Sequence, residues 1–370
     1  MSNSQNIYDL AIPGVPGLVP YQPGKPISEL ERELGLTDIV KLASNENPLG
    51  PGSAAVSAIQ SALPELARYP DGNGFDLKNT LAKKLGVNVD QITLGNGSNE
   101  ILELVARTFL DTESEVVFSQ HAFAVYPLVT QAVGAIPRVV PALEYGHDLN
   151  AMQEYINEKT RLVFIANPNN PTGTYLSAEE LENFLEFLPE NIICVLDEAY
   201  FEYVEKSDYP DTLGWLQRYP NLLITRTFSK AYGLAGLRIG YGISSPELAD
   251  LLNRVRQPFN SNMLALAAAV AALGDKEHLR KTIKVNKDGM EQLTDAFSEL
   301  NLTWIPSVGN FVSVNLQRPA LPIYEALLHQ GVIVRPVANY EMPNHLRISI
   351  GTKAENLLFI EALGKVLSDL

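Results

Sequence analysis

Cysteine is almost absent from this chain of 370 residues, in which Cys194 stands alone. An internal disulfide and a cysteine-rich metal site are both excluded. The thiol falls in the apolar run 191–196, where the expected role is a buried small hydrophobe and not a nucleophile. Positive charge is short as well: 28 Lys and Arg face 43 Asp and Glu, for a formal net charge of −15. Phosphate backbones and anionic lipid gain little from so acidic a partner, so neither nucleic acid nor a membrane surface is expected. An anionic substrate must then be held by a few placed arginines working against the overall field. Long apolar runs are missing too. The most apolar helix candidate, 263–273, is too short to span a bilayer. The N-terminus has no basic start and its apolar stretch is punctured by Pro13, Pro16 and Pro20, so no signal peptide is legible and the cytoplasm is expected.

What remains is an ordinary globular composition, 46% hydrophobic and 19% charged, in a chain long enough for one large core and a smaller one. Residues 1–30 are rich in proline and glycine and read as an extended arm. Beyond residue 50, short apolar runs alternate with amphipathic stretches, the pattern of a largely parallel sheet covered by helices. The strands are expected at 91–94, 115–118, 136–140, 161–166, 192–196, 222–225 and 237–243. Ser177 and Glu180 form a capping box ahead of the stripe Leu181, Phe184, Leu185 and Leu188, which predicts a helix there. From about residue 275 the pattern changes to a long charged helix, strands near 310–314 and 345–349, and a terminal helix, read as a smaller α+β unit. No repeat or low-complexity tract interrupts this.

The segment 225–240 carries the most chemistry. Lys230 has hydroxyls before it, Thr227 and Ser229, and glycines after it, while Arg238 sits in what reads as an apolar strand. A lone loop lysine is ordinarily a solvated surface group, but a buried arginine beside it demands an anion, and a phosphate satisfies that demand. The expected strand 192–196 ends at Asp197 and Tyr200, and acids at the carboxyl end of a parallel strand point into the ligand crevice. The plainer alternative is an aspartate capping the next turn. Residues 167–173 pair two Asn-Pro steps around Asn170 after another strand, which read alone is a stiff turn. At 92–100 a strand and a glycine turn lead into a helix beginning at Ser98 or Asn99, aiming N–H groups and a positive dipole at an anion. Glu100 stands where a third glycine would complete a dinucleotide fingerprint, so a single phosphate fits better than a dinucleotide.

Together these segments resemble the fold-type I aminotransferases that use pyridoxal 5′-phosphate, class II, and within them the histidinol-phosphate aminotransferase branch. The likeness runs from residues 18–21 through 41–51, Arg68–Gly72 and Ser229–Lys230 to 346–351. It implies an α/β fold with a mixed, mostly parallel sheet in a large cofactor-binding domain, 46–275, and a smaller α+β domain built from 31–45 and 276–370. It also implies that Lys230 carries the cofactor as a Schiff base and that Asp197 pairs with the ring nitrogen, keeping it protonated so that the ring accepts electrons. Tyr200 and Asn170 would bond the cofactor's phenolic oxygen, Phe123 would lie against the ring, and Ser98, Asn99, Thr227, Ser229 and Arg238 would hold the phosphate. The family usually has tyrosine where Phe123 stands, so stacking is kept and a hydroxyl is lost. Tyr69 would reach across a two-fold interface to the neighbouring subunit's phosphate, which requires a homodimer.

For the substrate, the resemblance points to Tyr21, Arg335 and Arg347 as the anion-gripping set. Structural ion pairs are the plainer role for the two arginines. The implied reaction moves an amino group between L-histidinol phosphate and 2-oxoglutarate, giving imidazole acetol phosphate and glutamate, with Lys230 shuttling a proton. An aromatic-amino-acid aminotransferase shares most of these residues and is the nearest rival. A decarboxylase of a phosphorylated amino acid is a further one. A cofactor-binding regulator without catalysis would need a basic DNA-binding domain, for which the short arm has no room.

Overall fold

A computed structural model describes residues 6–20 and 24–369. Thirteen strands occur among them. In chain order these are β1 Val40–Lys41, β2 Ile92–Gly95, β3 Glu115–Ser119, β4 Ile136–Val140, β5 Thr160–Ala166, β6 Ile193–Asp197, β7 Leu222–Thr227 and β8 Gly240–Ile243, then β9 Thr303–Ile305, β10 Phe311–Asn315, β11 Val332–Ile333, β12 Arg335–Pro336 and β13 His345–Ser349.

Seven of them form the larger sheet in the order β2-β8-β7-β6-β5-β3-β4. From β4 to β7 neighbouring strands run parallel, whereas β8 is antiparallel to both β7 and β2. The central strands are buried on both faces, as their unbroken Val, Ile and Leu runs require. One apolar core packs Leu196, Ile224 and Leu94 against the helices Phe75–Leu85 and Met263–Gly274. Another fills the opposite face around Phe164, Val195 and Leu223 under the helix Ser98–Phe109. Cys194 is buried in the sheet and burial pushes its thiol up to about 12, as a small hydrophobe and not a nucleophile.

The smaller sheet is antiparallel, ordered β12-β13-β10-β9, with its own core of Val312, Val314, Leu346, Ile348 and Phe359. The helices Lys276–Glu299 and Lys353–Asp369 cover it. Beside it the short pair β1 and β11 runs parallel. From β1 the chain leaves directly for the carboxyl ends of β5 to β7, so residues 42–47 strap the smaller sheet to the larger.

The seven expected strands of the larger sheet are all present, with ends moved by at most three residues. The largest departure is at β8, which begins at Gly240 and not at 237. A short 3-10 turn, Ala235–Leu237, occupies that place, and Arg238 follows it in the left-handed region at φ 56°. Arg238 is therefore neither in a strand nor buried; it is exposed at the mouth of a turn. The arm also holds more structure than its composition suggests: two 3-10 turns at Ile7–Leu10 and Val15–Gly17, then a helix from Ile27 to Leu34. That helix buries Leu30 and ends at Gly35 in the left-handed conformation, a common helix stop.

Candidate active site

Register decides what meets at the sheet's carboxyl edge. Ala166, Asp197 and Thr225 lie side by side on β5, β6 and β7. The antiparallel strand β8 sets Gly240 level with Thr227 on one side and Gly95 on the other. That alignment brings the turn before the helix Ser98–Phe109, the Lys230 loop and Arg238 to one place. A cavity of ≈ 200 Å³ opens there. Its walls include Ser98, Asn99, Phe123, Asn170, Asp197, Tyr200, Thr227, Ser229, Lys230, Arg238 and Arg347, every one of them singled out from the sequence.

At the closed end Asp197 is 4% exposed and accepts hydrogen bonds from Tyr126 Oη at 3.0 Å and Thr225 Oγ1 at 3.1 Å. Loss of water pushes its carboxyl up to about 6, and the two hydroxyls offset only part of that. A cation seated against this carboxylate would bring it down again. Lys230 Nζ donates to Ser44 O at 3.1 Å. Burial, then the positive charge of Arg347, pulls its amine down to about 7. Arg347 itself is buried on β13, donating to Asn170 Oδ1 at 2.5 Å and to Ala43 O at 2.7 Å, above the Phe311 ring. Because Asn170 Oδ1 is taken, its Nδ2 is the group left to donate. Tyr200 Oη receives Asn45 Nδ2 at 3.0 Å.

The other end is a cradle built for close approach. A Cβ on Gly97 would stand 2.4 Å from Arg238 Nη2, and one on Gly240 would stand 2.3 Å from the amide of Ser98. The clash with fixed backbone requires glycine at 240, and a φ of 77° requires it at 97. Arg238 Nη1 donates to Ser229 Oγ at 3.3 Å and to Ala235 O at 3.1 Å. Glu100, in the helix's first turn, accepts from the amide of Asn96 and from Asn260 Nδ2, pinning the turn from outside. Backbone amides, a helix N-terminus, hydroxyls and a guanidinium together make an anion site. A carboxylate at one end, amide and phenol donors midway and a phosphate cradle opposite fit a phosphorylated cationic ring whose reactive carbon faces Lys230.

Of the other three expected residues, two lie elsewhere and one cannot be placed. Tyr21 falls outside the described residues. Arg335 lines a separate cleft of ≈ 530 Å³ with residues 17–20, Tyr324 and Pro336. Tyr69 is 82% exposed and stacks on Phe259, with ring centroids 4.8 Å apart. Conversely, the sequence reading gives no role to Ser44, Asn45, Tyr126 or Thr225, each of which contacts a key side chain.

Residues 37–363 match the profile of the family described as aminotransferase class I and II. The chain belongs to that family. This aminotransferase is 63% identical over 361 residues to histidinol-phosphate aminotransferase 2 of Pseudomonas fluorescens, covering 97% of this chain and 98% of the relative. It is 59% identical over 362 residues to histidinol-phosphate aminotransferase 1 of Nitrosococcus oceani, covering 98% of each. Among solved structures, the histidinol-phosphate aminotransferase of Sinorhizobium meliloti in complex with pyridoxal 5′-phosphate matches with a TM-score of 0.90 at 30% identity, covering 96% of this chain and 97% of that one. The fold is accordingly that of the fold-type I aminotransferases. Among the described residues no group of His, Cys, Asp or Glu is arranged to hold a metal ion, and no helix is long and apolar enough to cross a membrane.

Proposed function

We propose that this aminotransferase moves an amino group between L-histidinol phosphate and 2-oxoglutarate, with pyridoxal 5′-phosphate held on Lys230. The observation that carries the reading is the meeting in one cavity of Lys230, Asp197, Tyr200 and Asn170 with a phosphate cradle and a buried arginine. The names of its relatives supply the substrate. When bound, the cofactor supplies an electron sink for cleavage of a bond at the substrate's Cα. The protein's own residues do the rest. Asp197 holds a proton on the ring nitrogen; its shift to about 6 is what an acid shows before its cation arrives. Tyr200 and Asn170 would donate to the phenolic oxygen, Phe123 would cover the ring, and Ser98, Asn99, Thr227, Ser229 and Arg238 would bind the phosphate. Lys230 Nζ, brought down to about 7, would take the proton from the substrate's Cα near neutrality and deliver it to the carbon on the other side of the amino nitrogen. Arg347 would grip the anionic end of either substrate, joined by Arg335 from the neighbouring cleft and by Tyr21.

The same reading assigns residues 1–30 to an arm, 31–45 with 276–370 to a small domain and 46–275 to a large one. It places the enzyme in the cytoplasm as a homodimer, with Tyr69 completing a neighbour's phosphate site. Exposed Leu63, Leu66, Tyr69, Phe75 and Phe259 support such an interface.

Borohydride reduction followed by peptide mapping tests the attachment, and the label is expected on Lys230. Lys230→Ala is expected to lose turnover yet still take up the cofactor noncovalently through Asp197 and the phosphate cradle. Turnover of histidinol phosphate against phenylalanine, with 2-oxoglutarate as acceptor, tests the substrate. A label on another residue defeats the chemistry; a large preference for phenylalanine defeats the substrate and favours the aromatic-amino-acid reading.

A further inference from the structure

Three consecutive residues of the strap between the two sheets each touch a different functional side chain. Ala43 O accepts from Arg347, Ser44 O accepts from Lys230 Nζ, and Asn45 Nδ2 donates to Tyr200 Oη. Asn45 is 1% exposed and sits in the left-handed region at φ 54°, a conformation that asparagine tolerates better than most residues. The smaller sheet holds it there. Its amide N–H donates to Ser349 Oγ at 2.7 Å, and its carbonyl accepts from Asn310 Nδ2 at 3.0 Å.

Ser349 also fixes which way the Asn45 side chain faces. Having accepted the backbone N–H, Ser349 Oγ sends its own hydrogen to Asn45 Oδ1 at 3.0 Å. Nδ2 is thereby turned to Tyr200. An amide nitrogen offers hydrogens and no acceptor, so Tyr200 Oη must be the acceptor in this bond. The tyrosine's own hydrogen has to point another way. With the ring buried and lining the cavity, that way is into the cavity.

We propose that Asn45 is a positioning residue for amino transfer: by donating to Tyr200 Oη it commits the tyrosine's hydrogen to the cavity, where the cofactor's phenolic oxygen receives it. The inference rests on the functional reading above. It has a spectroscopic consequence. The phenolic oxygen is contested by two donors, Tyr200 and the protonated nitrogen that joins Lys230 to the cofactor. A Tyr200 held by Asn45 donates more strongly, which loosens the nitrogen's proton. Without Asn45 the phenol rotates and donates more weakly, and that proton is kept to higher pH.

The experiment is a pH titration of the visible absorbance of the holoenzyme. Asn45→Gly keeps the left-handed backbone and removes the amide. It is expected to raise the midpoint by about half a pH unit, the size of one modest hydrogen bond acting through a second. Tyr200→Phe is expected to raise the midpoint by itself, and adding N45G to Y200F should move it no further. If N45G does not fold, Ser349→Ala, which frees the amide to turn, is titrated in the same two backgrounds. A midpoint that stays put in N45G, or that shifts equally in the Y200F background, overturns the proposal. Absence of any lysine-bound band in the unsubstituted protein overturns the functional reading and this inference with it; a normal band with an unmoved midpoint overturns this inference alone.

Discussion

Lys230 and Asp197 approach neutrality from opposite sides, the amine down to about 7 and the carboxyl up to about 6, and water exclusion is the larger cause in each case. A group so placed costs folding stability, with a pH dependence whose sign follows from linkage. Below about pH 7 the folded apoprotein carries the Lys230 ammonium in a half-buried site that strips most of its water, and the full cost is present. Between about 7 and the unfolded value of 10.5 only the unfolded chain binds that proton, so the cost shrinks as pH rises and is gone above it. Lys230→Met should therefore stabilise the apoprotein by on the order of a few kcal/mol at pH 6 and by almost nothing at pH 10.5. Thermal melts of both proteins across that range check it; a gain independent of pH would mean that packing and not charge is responsible. Lys230 and Asp197 are legible in the sequence because their chemistry is local, with hydroxyls, glycines or a strand end within a few residues. Asn45 and Tyr126 are not, since they act on residues 155 and 71 positions away, and no local pattern marks an asparagine or a tyrosine for that task.

At the scale of elements, pattern and structure agree where a helix or strand is specified by its own residues. Ser177 Oγ accepts from the amide of Glu180 while the Glu180 carboxylate accepts from the amide of Ser177, the reciprocal cap that the sequence implies at the start of Ala178–Phe187. Ser177→Ala should lower the denaturant midpoint by an amount worth about 1 kcal/mol and leave turnover unchanged, since this helix packs behind the sheet and lines no part of the cavity. An unfolding curve beside a rate measurement decides it. Agreement fails where tertiary demands override the pattern. The run 237–243 reads as one strand, yet its first residues turn away to bring Arg238 over Gly97, and only the last four pair with β7 and β2. Composition likewise calls residues 1–30 irregular, but Leu30 finds a pocket against Ala43 and Ile333 and a helix forms around it.

For the molecule as a whole, a homodimer in which Tyr69 serves the opposite cavity makes a sharp prediction. Tyr69→Ala and Lys230→Ala proteins, each nearly inactive, should regain activity when unfolded together and refolded as mixed dimers. One cavity of each hybrid then collects both substitutions and the other collects neither. Activity approaching one quarter of the unsubstituted level in an equal mixture is the statistical expectation, because about half of the dimers are hybrids with one intact site of two. No recovery would place Tyr69 in its own subunit's business or in none. The two sheets with separate apolar cores were readable from the change of pattern near residue 275, whereas the pairing of residues 40–41 with β11 had no periodic signal, since a two-residue strand has no period, and only the family resemblance grouped 31–45 with 276–370. That brief return governs how the polypeptide can be divided. Opening the chain between Val40 and Asn47, the apparent seam, would cut through the stretch whose carbonyls and amide engage Arg347, Lys230 and Tyr200. Fragment pairs and circular permutants split at this point would lose reactivity before they lost their shape.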